Sequence, residues 1–299
     1  MNELGRLSLA SLHDGTGCSR SVPYTAPVVQ PKARSLIFTV LGDLRRIGAH
    51  EIRLKALVEL GELLGVSALN MRVLLPRMRD EGWFDVRREG RESIYALTER
   101  SFRTIAEGRQ RIFRGEVETW NGSWSLVIYT VPEHDRMTRE RLRRRLAWMG
   151  FGPLTPATWV SPNALLERVA ALGASMPNAS LELLTMQSSG LAADRAIATR
   201  CWDLEALNHD YDQFIRDLRM RLPTVRATEL RGSKAFGERI MLVHRFRELA
   251  YRDPNLPVEL QPAGWLGDQA RTIFTEAHEL LAIGADDFYR QVLGEVDAG

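Results

Sequence analysis

The sequence contains few cysteines, few lysines and no long apolar run. Its only cysteines are Cys18 and Cys201, which are too few and too far apart for a disulfide framework or a cysteine-rich zinc site. No apolar stretch approaches the ~20 residues that cross a bilayer, and the first residues lack the basic and apolar segments of a secretory signal. These absences argue against a membrane-spanning or disulfide-stabilised protein, and a cytoplasmic protein is expected.

Nearly all of the 40 basic residues are arginine, and the charge is unevenly distributed along the chain. Counting Lys and Arg against Asp and Glu, residues 31–118 carry 17 and 13, whereas residues 200–299 carry 13 and 17. A basic front and an acidic back suit a chain that meets a polyanion at one end. With 44% hydrophobic residues among 299, the chain is long and apolar enough for two or three folded domains.

Composition and periodicity predict an α+β protein. The pattern indicates a disordered N-terminal extension over residues 1–31, helices with a hairpin over 32–98 and a linker helix over 99–119. A βαββαβ segment over 120–199 and an all-helical segment over 200–299 follow.

The helices of the second segment have the order and spacing of a helix-turn-helix. Apolar periodicity predicts helices from about Lys32 to Ile47, over Leu54–Leu64 and over Ala68–Glu81. Ser67 is a suitable N-cap for the third helix, because its hydroxyl can bind an otherwise unpaired backbone N–H. Strand-like runs follow at 83–87 and 93–97, joined by an arginine-rich tip at 88–91. Together these elements predict a winged helix-turn-helix.

In that layout the third helix enters the DNA major groove and its N-terminal residues reach base edges. Asn70 suits adenine and Arg72 suits guanine through two-pronged hydrogen bonds, while hairpin arginines suit phosphates. The alternative is a dimerisation or substrate-recruitment module whose arginines are merely solvated. The candidate DNA-binding residues are Ser67, Asn70, Arg72, Arg77, Arg79, Arg87, Arg88 and Arg91.

The order strand, helix, two strands, helix, strand over residues 120–199 is typical of a ferredoxin-like domain. It is similar to the nucleases of CRISPR adaptation, which place an aspartate near the end of the first strand as a metal ligand. This chain has Thr130 there, with Glu133 and Asp135 nearby, and a neutral hydroxyl is a poor Mg²⁺ ligand. We predict no catalytic residue, metal or cofactor. The alternative is an enzyme or nucleotide-binding module that uses the winged helix as a recruitment arm.

Spaced motifs in all three folded segments resemble one family. They include Gly82-Trp83, Gly90-Arg91, Tyr95-Ala96-Leu97-Thr98, Gly150-Phe151-Gly152-Pro153-Leu154 and Pro262-Ala263-Gly264-Trp265-Leu266-Gly267. In these the chain resembles the PaaX family of bacterial repressors over about residues 32–293. One departure is Pro76, which falls inside the third helix and costs roughly 3 kcal/mol in a regular helix interior. The helix is therefore expected to be kinked there, or its first turn to be separate.

The resemblance implies a transcriptional repressor that acts as a homodimer on an inverted repeat in double-stranded DNA. It also implies release by a CoA thioester of an aromatic acid, phenylacetyl-CoA or another acyl-CoA. An alternative keeps DNA binding but replaces the CoA thioester with a free acid or an unrelated catabolite. The acidic 200–299 segment is the expected place for dimerisation and, with the middle segment, for an effector cleft. The motifs assign no effector contact to any residue.

Overall fold

The fold is α+β, as predicted. The computed structural model describes residues 32–113, 119–228 and 230–294, in which helices surround a three-stranded and a four-stranded antiparallel sheet. The predicted N-terminal extension, residues 1–31, lies outside the described part. Among the described helices, none combines the length and the apolar composition that a bilayer span requires.

Three helices begin the described chain. The third is capped as predicted, since the Ser67 hydroxyl oxygen accepts a hydrogen bond from the backbone N–H of Asn70 at 3.3 Å. It runs without a break through Pro76, so its first turn is not separate. The carbonyl that Pro76 leaves without a helical partner belongs to the exposed Arg72, where water can bind it. The elements are α1 (Ala33–Arg46), β1 (Glu51–Arg53), α2 (Leu54–Leu63) and α3 (Ala68–Asp80).

A hairpin of β2 (Phe84–Glu89) and β3 (Glu92–Leu97) follows, in a sheet of order β1-β3-β2. Its turn is two residues long, shorter than the predicted four-residue tip, because Arg88 already pairs with Ser93 in the ladder. Strand β1 was not predicted, because its three residues are too few to show the alternation of apolar and polar side chains that indicates a strand. The turn begins at Gly90, whose φ of 61° suits a residue without a Cβ.

The fourth helix, α4 (Glu99–Ile112), is capped by the Thr98 hydroxyl, which accepts from the N–H of Ser101 at 3.3 Å. Within the described residues this helix ends at Ile112, so it is shorter there than the predicted linker helix, 99–119; residues 114–118 lie outside the described part. Tertiary packing holds this end, since the ring of Phe113 lies 5.5 Å from that of Phe274.

The middle segment forms the four-stranded sheet, in the order β5-β6-β4-β7. One face packs against α5 and α6 through a core that includes Val127, Leu142 and Val169. The other face packs against α7, a helix that the sequence reading missed, and there the indole N–H of Trp124 donates to buried Asp194 at 2.8 Å. The elements are β4 (Trp124–Thr130), α5 (Arg136–Trp148), β5 (Gly152–Thr155), β6 (Thr158–Ser161), α6 (Leu166–Ala174), β7 (Ser180–Met186) and α7 (Leu191–Cys201).

The elements that follow α7 are all helical, as predicted. The central helix of this group, α9, packs against α8, α10 and α11, and also against α1 and α4. Phe236 and Ile240 of α9 share one hydrophobic cluster with Leu36 of α1 and Met71 of α3. The first helices therefore rest on α9 through a continuous core. The elements are α8 (Leu204–Thr228), α9 (Gly232–Arg252), a 3-10 turn (Val258–Leu260), α10 (Gly267–Leu280) and α11 (Ala282–Leu293).

Candidate nucleic-acid interface

Helix α3 buries one stripe and exposes the opposite one. Met71, Leu75 and Met78 are fully buried, whereas Leu69 is 71% and Val73 47% exposed. Because successive helical residues are rotated by about 100°, Leu69 and Val73 lie at the centre of the outward face. The sequence reading did not single out these two residues. The available signal was that they are apolar yet fall outside the buried stripe.

The predicted base-reading residues lie on opposite sides of that outward face. Asn70 and Arg72 are separated by about 160° around the helix axis, from the 3.6-residue repeat, so they flank Leu69 and Val73 instead of forming one cluster. Arg77 lies on the same flank as Asn70, two turns further along. The arrangement is an apolar centre with a polar or cationic group on each edge.

The three arginines of α3 differ in whether they are free. Arg72 and Arg77 are exposed and have no hydrogen-bond or ion-pair partner among the residues that the structure describes. Arg79 instead donates to the carboxylate of Asp80 at 2.7 and 3.0 Å, and this hydrogen bond raises the pKa of Arg79. Of the three, Arg72 and Arg77 are therefore the guanidinium groups available to another molecule.

On the hairpin, Arg87 is already neutralised. Its guanidinium donates to the carboxylates of Glu51 and Glu89, each at 2.8 Å, and the bond from Arg87 lowers the pKa of Glu89. Arg53 on β1 similarly faces Glu92 at 3.3 Å. An arginine held between two carboxylates adds little positive potential, so Arg87 is the weakest of the predicted phosphate contacts.

Two predicted hairpin arginines remain free. Arg88, beside Ser93 near the end of β2, and Arg91, in the turn, are exposed and have no partner among residues 32–113, 119–228 and 230–294. The hairpin therefore offers two unpaired guanidinium groups close to its tip.

The hairpin is tied to α3 through Trp83. The guanidinium groups of Arg34 and Arg100 lie over the Trp83 ring, at 5.6 and 4.1 Å from its centroid, and the indole N–H donates to Glu81 at 3.0 Å. The Thr98 hydroxyl donates to the carbonyl of the residue before Trp83 at 2.8 Å. The motifs at both ends of the hairpin thus hold it in a defined position beside α3.

The residues considered for a metal-dependent activity do not form a site in the described chain. Asp135 accepts from the amide side chain of Asn178 at 2.9 Å and from the N–H of Thr138 at 3.0 Å, and these bonds lower its pKa. Its carboxylate caps α5. Among the residues that the structure describes, no three or more His, Cys, Asp or Glu side chains lie close enough together to hold a metal ion.

Comparison with known proteins gives consistent matches along the chain. Residues 32–101 match a family model described as PaaX-like protein, residues 117–198 the PaaX protein central Cas2-like domain, and residues 202–291 the PaaX-like protein C-terminal domain. The transcriptional repressor PaaX of Escherichia coli (strain K12) is 32% identical over 284 residues, or 93% of this chain and 89% of that protein. A solved structure, the uncharacterized protein Rv0674 from Mycobacterium tuberculosis, has a similar fold, with a TM-score of 0.55 and 24% identity over 86% of this chain and 98% of that one.

Proposed function

This chain belongs to the PaaX family, and from that premise we propose that it is a transcriptional repressor that binds double-stranded DNA. The observation that carries the proposal is the set of unpaired, exposed arginines, Arg72 and Arg77 on α3 with Arg88 and Arg91 on the hairpin. Unpaired guanidinium groups bind phosphates and guanine edges. The proposal assigns the chain no catalytic activity.

We propose that α2, α3 and the hairpin act as a winged helix-turn-helix. Helix α3 enters the major groove with its outward face, so that Leu69 and Val73 meet apolar base groups such as the thymine methyl. Arg72 on one edge and Asn70 with Arg77 on the other reach base edges or flanking phosphates. The hairpin tip follows the sugar–phosphate backbone through its two free arginines.

We also propose that the middle segment is a ferredoxin-like domain, because its strand order and the position of α5 and α6 on one face fit that plan.

We further propose that the repressor acts as a homodimer on an inverted repeat. A two-fold dimer reads half-sites spaced by about one helical turn, ~10 bp, or a multiple. The spacing of the half-sites is therefore part of the recognition.

The family resemblance supports control of an aromatic-acid catabolic operon. We propose that an aryl- or acyl-CoA thioester, such as phenylacetyl-CoA, releases the repressor from its operator. Such release requires two conformations that differ in DNA affinity, with the ligand binding one of them more tightly, because equal affinity shifts no equilibrium.

A gel-shift titration on the promoter upstream of the protein's own gene tests the function. The full chain should shift this duplex at lower concentration than a scrambled duplex, and inserting ~5 bp between half-sites should weaken binding, because it places them on opposite sides of the helix. Equal affinity for the native and scrambled duplexes would overturn sequence-specific repression. Unchanged affinity after the insertion would overturn the dimeric arrangement.

A further inference from the structure

Helix α5 carries more positive charge than any other helix that the structure describes. Its 13 residues include six arginines and a single carboxylate, that of Glu140. One side of the helix packs against the four-stranded sheet through Leu142 and Leu146, which are fully buried. Because successive residues are rotated by about 100°, Arg144 lies on the side opposite this buried stripe.

Three exposed arginines cover the outer surface of the C-terminal half of α5. Arg141 precedes Arg144 by three residues and Arg145 by four, so the three side chains are neighbours within one helical turn. We call the surface made of Arg141, Arg144 and Arg145 the α5 face.

The carboxylate of Glu140 does not neutralise the α5 face. It approaches the guanidinium of Arg143 at 3.7 Å. Arg144 donates from Nε to the backbone carbonyl of Glu140 at 3.2 Å, which is an uncharged acceptor. Arg141 and Arg145 have no hydrogen-bond or ion-pair partner among residues 32–113, 119–228 and 230–294. Three guanidinium groups therefore lie side by side without a counter-charge.

Other surface arginines of the same chain are arranged differently. Arg216, Arg226 and Arg245 on α8 and α9 are each in an ion pair with a carboxylate. Like charges one turn apart on a helix repel each other, and of the α5 face only Arg145 lies in the last turn, where the helix dipole favours a cation. Arg141 and Arg144 gain no such contact within the chain, so an anion that reaches them relieves the repulsion.

The positive potential continues beyond the C-terminal end of α5. There the guanidinium of Arg111, in the last turn of α4, lies 5.6 Å from the centroid of the Trp148 ring. Burial lowers the pKa of Arg111, and the nearby charge of Arg168 on α6 lowers it further. Arg168 is exposed and has no hydrogen-bond or ion-pair partner in the described part of the chain.

The other side chains of α5 select among the possible polyanions. Its one aromatic residue, Trp148, is half-buried and packs edge-on against Tyr251 at 4.4 Å, so the bases of a single strand find no exposed ring to stack on. The apolar stripe of α5 is occupied by the sheet, so the helix has no apolar side to insert into a membrane surface. The closely spaced phosphates of duplex DNA require neither feature.

We propose that the α5 face is a second contact with duplex DNA, at which Arg141, Arg144 and Arg145 bind phosphates without reading the base sequence. The inference deepens the proposed function and rests on it for the identity of the polyanion. The hairpin joins the N-terminal end of α4 and Trp148 lies beside its C-terminal end, and the 14 residues of α4 span about 21 Å. The α5 face therefore binds phosphates other than those at the hairpin and lengthens the tract of DNA that one protomer holds.

Fluorescence anisotropy of the full chain on cognate and scrambled duplexes of equal length, at several salt concentrations, tests the α5 face. The triple variant Arg141→Gln, Arg144→Gln, Arg145→Gln should bind both duplexes at least about tenfold more weakly at low salt and keep the ratio of the two affinities. It should also make the slope of log K against log salt shallower by about two to three units, because three fewer counterions are released.

A matched control separates the α5 face from net charge. The triple variant Arg216→Gln, Arg226→Gln, Arg245→Gln removes the same number of positive charges from the surface of α8 and α9, outside the α5 face. It should keep the wild-type slope. Lysine in place of the three arginines of the α5 face should restore most of the slope, since the charge is kept. If the glutamine triple variant unfolds, Arg141→Gln alone should still make the slope shallower by about one unit.

Four outcomes would overturn the α5 face as a duplex contact. These are a wild-type slope in the glutamine variant, an equal loss in the control variant, a loss confined to the cognate duplex, and a loss of binding to single-stranded DNA or to anionic lipid vesicles while duplex binding is kept. The last outcome would assign the face to a different partner.

The same titrations distinguish failure of the α5 face from failure of the proposed function. Sequence-specific binding that depends on Arg72 but not on the α5 face would overturn the face alone. Equal binding of cognate and scrambled duplexes, weakened by the glutamine variant, would overturn the sequence-specific repressor and leave the α5 face standing. A wild-type chain that binds neither duplex would overturn both.

Discussion

Helix α3 and the contact between α1 and α9 each carry an arginine without a hydrogen-bonded carboxylate, but the two arginines have opposite surroundings. Arg72 on α3 is exposed, so its charge is hydrated and no desolvation penalty arises. Arg247 of α9, which donates to Ser35 and Thr39 of α1, is 9% exposed. Its Nε–H is therefore held away from water without a hydrogen-bond partner among the described residues. An unpaired cation at the surface is available to a polyanion, whereas a buried cation depends on hydrogen-bond acceptors within its own chain.

A third group of arginines shows what pairing removes. Arg87 on the hairpin is bound by two carboxylates, and Arg239, fully buried, is bound by Asp43. These residues are counted as basic in the sequence, yet little of their charge is left for a partner. Pairing and burial together, not the number of arginines, distinguish the binding surfaces of this molecule from its scaffold.

The largest expected effect is on the buried pair. Asp43→Ala leaves Arg239 buried without a carboxylate and should reduce the free energy of unfolding by about 3–5 kcal/mol, measured by urea denaturation. Asp212→Ala, which removes the surface partner of Arg216, should change it by less than about 1 kcal/mol. Equal effects of the two substitutions would mean that burial does not separate these two kinds of arginine.

On α3 and the hairpin, free and paired arginines should differ in their effect on DNA binding. Arg72→Ala should weaken binding to the cognate duplex by about 1–3 kcal/mol and relax sequence preference at one position. Arg87→Ala should leave the sequence preference unchanged, because the guanidinium is held by Glu51 and Glu89 and is not free to contact a base edge. Gel shifts on cognate and scrambled duplexes measure both. If Arg87→Ala were the more damaging substitution, the distinction between free and paired arginines would fail.

A positive charge on His278 should destabilise the fold. Burial, and secondarily Arg239, lower the pKa of His278 from 6.5 to about 3. Below pH 6.5 the unfolded chain therefore takes up a proton that the folded chain excludes. Stability should fall by about 2 kcal/mol between pH 7 and pH 5 from this group. His278→Phe, which preserves the ring packing on Phe274, should reduce that pH dependence; an unchanged slope in urea unfolding would contradict the assignment.

The smallest expected effect concerns the hairpin tip. Arg91→Ala should weaken cognate and random duplexes together, and make the dependence of log K on log salt shallower by about one unit, since one fewer counterion is released. Titrations at several salt concentrations measure the slope. A loss confined to the cognate duplex would assign Arg91 to base reading instead of phosphate contact.

Features that depend on neighbouring residues were predicted well. The helices α1, α2 and α3 and the N-cap at Ser67 follow from apolar period and capping chemistry. Features that depend on packing were not. Helix α7 lacks a strong apolar period and is recognised by its contact with the sheet through Asp194. The end of α4 lies where Phe113 enters the core beside Phe274.

The candidate site shows the same division. The residue types and their order along the chain placed eight candidate DNA contacts within residues 67–91. Their spacing did not separate Asn70 from Arg72 on the two flanks of α3, nor did it indicate that Leu69 and Val73 form the centre of the outward face. The pairing of Arg87 with Glu51 crosses 36 residues, so no local pattern announces it.

By itself the sequence determined the α+β class, the order of most elements, the basic front and the resemblance to the PaaX family, because periodicity, capping and motifs act over a few neighbouring residues. Tertiary structure alone decided which arginines are free, which are paired and which are buried without a partner. Arg239 meets Asp43 across 196 residues, and Arg247 meets Ser35 across 212. Such contacts form only when α1 packs on α9.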